Sequence, residues 1–207
     1  HAGITVGEDG ASHQAVEDIS LMRSIPGMTV LNPSDGTSAR KAVEAAVEMD
    51  GPCYVRLGRA AVPVIYPEDM QYQIGKGILL RDGKDVTIVA TGIMVNEALK
   101  AAEALKEKGV SARVIDIHTI KPIDREILIR AAKETGGIVT AEEHSVIGGL
   151  GSAVAEVLCQ EAPVKMRMVG LKDTFGESGK PDQLMEKYEI TWENIRQACL
   201  SLLSLLK

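Results

Sequence analysis

The first thirteen residues, HAGITVGEDGASH, place two histidines, an adjacent pair of acids and three glycines in one stretch with neither a 2.0- nor a 3.6-residue apolar period. Glycines in such a run allow positive φ and a close approach of backbone to ligand. The side chains suit a polar, hydroxylated ligand: Asp9 can accept hydrogen bonds from hydroxyls, and His13 can donate, accept or carry a proton near neutral pH. Each side chain also has an ordinary reading, Asp9 as a solvated acid or helix cap and His13 as a structural histidine.

Arg59 follows Leu57-Gly58 at the carboxyl end of an expected strand, the edge where open α/β sheets bind ligands. A guanidinium there can grip a phosphate bidentately, or pair with a neighbouring acid. Arg56 lies inside the strand and is expected in an internal ion pair. Gly148-Gly149-Leu150-Gly151 precedes a helix, but Val154 stands where a dinucleotide fingerprint needs its third glycine, so close packing is the expected role. His118 and His144 are expected as hydrogen-bonded turn residues. These residues alone describe an α/β protein with a polar site near its amino end, suited to a phosphorylated polyol.

Positioning such residues takes regular elements. The apolar spacing predicts a helix over 14–25, a strand over 28–33, and a helix capped by Ser34 or Asp35 with Ala39, Ala42, Val43, Ala46 and Val47 on one face. A strand over 53–57 completes a βαβ unit. Residues 60–75 lose the pattern and read as a linker. Beyond it, strands at 76–80 and 86–90 around Asp82-Gly83 predict an antiparallel hairpin. A helix over 95–108 follows, with Val95, Ala98, Leu99, Ala102 and Leu105 inward. Then come a strand at 112–117, a helix capped by Asp124, a strand at 137–141, a helix at 148–160 and a strand at 164–169. A last helix carries Trp192, Ile195, Cys199, Leu202 and Leu206 as its apolar stripe. The domains expected are 1–70 and 71–207. Two short strands leave the first unit with open edges, so further strands are expected before His1.

Composition narrows the functional classes. A net charge of −6 disfavours nucleic acid and anionic membranes. The cysteines at 53, 159 and 199 form no CxxC pair and no zinc spacing with the four histidines, and no apolar run reaches a membrane span of about 18 residues. A reduced, cytoplasmic setting is expected, with no metal ligands in the chain. With one Phe and one Trp, the core must be aliphatic, as in parallel sheets covered on both faces.

The opening run HAGITVGEDGASHQAVEDISLMRSIPGMTVLNPSD resembles the second half of the pyrimidine-binding domain of transketolases. The runs GPCYVRLGR, IDIHTIKPID, VTAEEHSVIGGLGSAVAEVL and KDTFGESGKPDQLMEKYEIT resemble the rest of that family's C-terminal section. The likeness spans nearly the whole chain and is closest to split bacterial transketolases, made as separate N- and C-terminal subunits. It implies the end of a pyrimidine-binding domain followed by a transketolase C-terminal domain, with a mostly parallel sheet and one antiparallel edge hairpin. The implied activity is thiamine-diphosphate- and Mg²⁺-dependent transfer of a two-carbon ketol unit between sugar phosphates.

Carried over by position, His1 resembles a histidine that helps hold the substrate phosphate, and Asp9 the carboxylate that receives a substrate hydroxyl. His13 resembles the catalytic histidine beside the thiazolium, and Arg59 the phosphate-binding arginine. The family's catalytic glutamate, its ring-stacking aromatics and its GDG…N metal–diphosphate motif have no counterpart here, and GEDG at 7–10 is not that motif. No cofactor ligand is therefore assigned in this chain, which is expected to be inactive alone. Its implied partners are an N-terminal subunit and further copies of itself, as homodimer or heterotetramer. Deoxyxylulose-phosphate synthase, a 2-oxo-acid dehydrogenase β subunit and a purely structural dimerisation module are the alternatives; His1 with Arg59 favours transketolase.

Overall fold

The computed structural model describes residues 1–205, in two sheets whose strands do not keep to the expected domain boundary. A short 3-10 segment, Ile4–Asp9, opens the chain, followed by α1 (Asp18–Ser24), β1 (Thr29–Leu31), α2 (Gly36–Glu48) and β2 (Cys53–Val55). After an irregular strap come β3 (Ile78–Arg81), β4 (Val86–Ala90), α3 (Met94–Lys106), β5 (Ala112–Asp116), β6 (Thr119–Lys121) and α4 (Arg125–Glu134). β7 (Ile138–Ser145), α5 (Leu150–Glu161), β8 (Met166–Leu171), α6 (Pro181–Lys187) and α7 (Trp192–Ser204) complete it. The larger sheet has the order β3-β5-β4-β7-β8, parallel except for β3. The smaller has the order β2-β1-β6.

The aliphatic core follows from this layering. β4 and β5 are buried along their whole length, as strands covered on both faces must be. α3 and α7 close one face of the larger sheet around Val86, Ile88, Leu105, Ile195 and Leu202, and α4 with α5 closes the other around Ile115, Leu128, Ile138 and Val154. α3 buries Met94, Val95, Ala98, Ala101, Ala102 and Leu105, close to its expected face. Asp124 caps α4 as expected, its carboxylate accepting the Ile127 amide (3.2 Å). On α7, Ile195, Cys199 and Leu202 are buried; Leu206 lies outside the described residues.

Three local expectations are corrected. β3 and β4 are not a hairpin: β5 lies between them, pairing antiparallel with β3 and parallel with β4. The fully buried VTIVA run of β4 takes parallel partners on both sides, leaving the half-exposed β3 as the antiparallel edge. The Gly83 turn passes so close to the Ala112–Arg113 backbone that a Cβ there would collide with it.

The first helix is also shorter than its apolar period. Residues 14–17 spend their polar groups elsewhere: the Gln14 amide nitrogen donates to the carbonyls of Ile4, Gly7 and Glu177, and the Val16 carbonyl accepts from the Ser145 amide (2.8 Å). Third, α2 buries Thr37, Ser38 and Ala42, while Val43 and Val47 of its expected apolar face are exposed. Three-residue strands, about 10 Å long, offer too little surface beneath a thirteen-residue helix.

The smaller sheet also takes a strand from residues 119–121, which follow His118. β6 pairs antiparallel with β1, stitching the chain's two halves together. The 60–75 segment, expected as a linker, is irregular and strapped to the strands beside it. Asp35 accepts the amides of Ile65 (2.7 Å) and Tyr66 (2.9 Å), and the Tyr66 hydroxyl donates to Asp116 (2.7 Å), which also accepts the Ser34 hydroxyl (2.6 Å).

Asp116 is fully buried, and burial pushes its carboxyl up to about 7 against the pull of those two hydroxyls. In the unfolded chain it ionises near 3.8, so the folded state holds the proton more tightly between the two values. Its contribution to stability is complete below the lower value and is lost as pH rises through the higher one. Asp116→Asn keeps an oxygen for both hydroxyls but cannot ionise. Relative to the wild type it should gain about 1–3 kcal/mol between pH 4 and pH 8 in urea unfolding. A difference that does not change with pH would place the titration elsewhere.

Candidate functional site

The opening segment folds back onto two places at once. The Ala2 amide donates to the Leu57 carbonyl (3.0 Å), setting the amino end beside the loop after β2. Gly7 and Gly10, both at positive φ (82° and 78°), carry the chain past Gly179, Pro181 and Ser178 of the loop before α6. Here a side chain would be strained in backbone and crowded in space.

This path pairs Asp9 with Arg59 and sets His1 against the carbonyl of the preceding Gly58. His1 is exposed, with Nδ1 3.4 Å from the Gly58 carbonyl oxygen. Arg59 donates to the Asp9 carboxylate and reaches the Val6 carbonyl oxygen (3.4 Å). Both partners are roughly half exposed, so this ion pair adds little to stability and an anion can displace it. A cleft of about 320 Å³ opens beside Arg59, which lines it with Thr5, Val6, Gly7, Glu8 and Pro181. His13 stands apart on the turn after Gly10, exposed, its Nδ1 3.0 Å from the Ser12 hydroxyl. No direct hydrogen bond joins it to the other three.

Beneath the wall lies a buried polar cluster that the sequence pattern did not single out as a unit. Arg56, 3% exposed, donates through Nε to Asp18 (2.9 Å) and through Nη2 to the carbonyls of Ala15 (3.2 Å) and Glu143 (3.0 Å). The internal ion pair expected of it is therefore present, and the Tyr54 hydroxyl adds a bond to the same Asp18 (2.7 Å). Glu142 and Glu143 approach from the end of β7. Burial raises both carboxyls, Glu142 to about 7, while Arg56 pulls each back down. The available signal was the acid pair in VTAEEH: two adjacent acids in a strand turn to opposite faces, so neither can stay in water if both faces are covered.

The remaining glycines and histidines are structural. Glu142 accepts the amides of Leu150 (2.6 Å) and Gly151 (2.9 Å), so its own carboxylate fills the amino end of α5. A Cβ on Gly149 would collide with that carboxylate, and one on Gly151 would crowd Met168 and Thr140; close packing is their role, as expected. Neither His118 nor His144 is a surface turn. His118 is buried against Tyr72 (ring centroids 4.1 Å apart), and burial lowers its pKa to about 4. His144 is fully buried in β7, with Nδ1 2.6 Å from the Ser145 carbonyl oxygen, and burial lowers its pKa too. The cysteines are free.

The described residues do not by themselves fit a metal-bound diphosphate. The glycine-rich helix start that could receive one is filled by Glu142, and no three His, Cys, Asp or Glu side chains among them are grouped to hold a metal ion. No helix among them is long and apolar enough to cross a membrane.

Residues 1–64 match the transketolase pyrimidine-binding domain model, and residues 75–195 match the transketolase C-terminal domain model. The chain belongs to the transketolase family. A 6-deoxy-6-sulfo-D-fructose transketolase subunit of Clostridium sp. (strain MSTE9) is 50% identical over 95% of this chain and 61% of its own length. An apulose-4-phosphate transketolase subunit of Phocaeicola vulgatus is 42% identical over 96% of this chain and 64% of its own length. A solved split-gene transketolase, described as an inactive β4 tetramer, superposes with a TM-score of 0.94 at 51% identity, over all of this chain and 66% of that one. This transketolase-family chain thus spans about three-fifths of the length of those two relatives.

Proposed function

We propose that this chain is the C-terminal portion of a transketolase, its units meeting near residue 70, that moves a two-carbon ketol unit between sugars with anionic tails. The observation that supports the reading is the Arg59–Asp9 ion pair, with Arg59 lining a cleft beside the opening segment and His1 against the neighbouring Gly58 carbonyl. Arg59 and His1 take the substrate's anionic end. Asp9, released from Arg59 as the anion arrives, receives a hydroxyl of the sugar. His13 bonds the oxygen at the reacting carbon and handles its proton. Thiamine diphosphate supplies the carbanion chemistry when bound; it and Mg²⁺ belong to a partner N-terminal subunit, without which the chain is inactive. The names of two relatives support a varied substrate tail, since one carries a sulfonate sugar and the other a sugar phosphate. The assembly is oligomeric, through homodimers or a heterotetramer, and works in the cytoplasm.

For the test, the chain is extended to the full length of its relatives' subunits, so that the pyrimidine-domain residues without a counterpart here are supplied. It is then mixed with a cognate N-terminal subunit, thiamine diphosphate and Mg²⁺ and assayed for ketol transfer from xylulose 5-phosphate to ribose 5-phosphate. Transfer by the mixture and none by the chain alone is expected. Condensation of pyruvate with glyceraldehyde phosphate instead would mark a deoxyxylulose-phosphate synthase. In the active mixture, Arg59→Ala should weaken phosphorylated donors by about 1.5–3 kcal/mol and non-phosphorylated ones hardly at all. An equal loss for both removes Arg59 from the anion site.

A further inference from the structure

The substrate wall at residues 1–13 is irregular backbone, and irregular backbone needs an external anchor to hold one geometry. Gln14 holds its carbonyls at Ile4 and Gly7 from nearby, and a second anchor is a side chain from the other half of the chain. Glu143, at the end of β7 and 3% exposed, accepts the backbone amide of Thr5, which lies midway between His1 and Asp9. Gly3, at φ 93°, lies so close to the same carboxylate that a Cβ there would collide with it. The fit is two-sided, a charged acceptor for one residue of the loop and a seat for another. Neighbouring bonds hold Glu143 itself in place: Arg56 donates to its carbonyl (3.0 Å), and two residues on, the Ser145 amide donates to Val16 (2.8 Å).

We propose that Glu143 is a positioning residue for the substrate-binding wall, through which the C-terminal domain takes part in substrate handling as well as in assembly. The functional half of this proposal rests on the transketolase reading; the structural half does not. Glu143 touches no substrate, and acts by fixing where Thr5 sits and hence the spacing between His1 and Asp9.

The structural half is read by amide exchange in the 207-residue chain. Glu143→Ala should speed exchange at Thr5 by about tenfold or more, as expected for losing a bond to a charged acceptor, with β4 and β7 amides unchanged. Glu143→Gln keeps an oxygen acceptor and should restore most of the protection. Should Glu143→Ala fail to fold, Gly3→Ala displaces the loop from the opposite side and should expose Thr5 in the same way. Thr5 exchange as slow as wild type in folded Glu143→Ala, or in Gly3→Ala where Glu143→Ala does not fold, overturns the anchor.

In the reconstituted enzyme, Glu143→Ala should lower kcat/KM by about tenfold or more and Glu143→Gln should recover it. Unchanged kinetics in the presence of fast Thr5 exchange overturns the functional half. Absence of ketol transfer by the wild-type mixture counts against the transketolase reading and leaves the exchange result standing.

Discussion

Replacing Arg56 with methionine is expected to cost the folded chain about 3–5 kcal/mol, the usual penalty for removing one partner of a buried ion pair. The side chain is 3% exposed and holds Asp18, Ala15 and Glu143 with three donors. Without it, the Asp18 carboxylate keeps one hydroxyl partner, from Tyr54, and two carbonyls lose their donor. Glu142 and Glu143 also lose the positive charge that offsets their burial, so their carboxyls rise further. Urea unfolding measures this directly. A loss below about 1 kcal/mol would mean that the acids are satisfied without the guanidinium. The site should suffer too, because Arg56 joins the residues after the opening loop to the strand that carries Glu143.

Replacing His13 with alanine in the reconstituted enzyme should lower kcat by about 10²–10⁴-fold, the range for losing a positioned acid–base group. The ring is exposed and its Nδ1 lies beside the Ser12 hydroxyl, which leaves Nε2 to meet a substrate oxygen. Donor KM should change little, since no hydrogen bond joins His13 to Arg59, the residue proposed to take the anionic end. Steady-state kinetics on a phosphorylated donor separates the two. A fall of less than about tenfold in kcat, or a loss confined to KM, would remove His13 from proton handling.

How much of this was legible in the residues differs from element to element. α3 and α4 were, because a 3.6-residue apolar period, a capping aspartate and a glycine stop are local signals. Arg56 was too, since a cation inside an apolar strand must find an internal acid. The β3–β4 relation was not. A short glycine turn looks the same whether the strands it joins become neighbours or flank a third, and β5 between them is a choice made by the whole sheet. Gln14 to Val16 carry a helical apolar period, yet their polar groups are drawn to Ile4, Glu177 and Ser145, partners up to 163 residues distant.

The sequence by itself determined the alternating α/β elements, the aliphatic core, and the candidate imidazole, carboxylate and guanidinium groups of His1, Asp9, His13 and Arg59. These follow from side-chain type and short-range spacing, which each segment carries with it. The tertiary structure alone decided that β6 joins the first sheet, that Asp9 and Arg59 meet, and that Glu143 accepts the Thr5 amide of the opening loop. Those are contacts between segments 50 or more residues apart. Their partners are selected only when burial forces every polar group in the shared interior to find a mate.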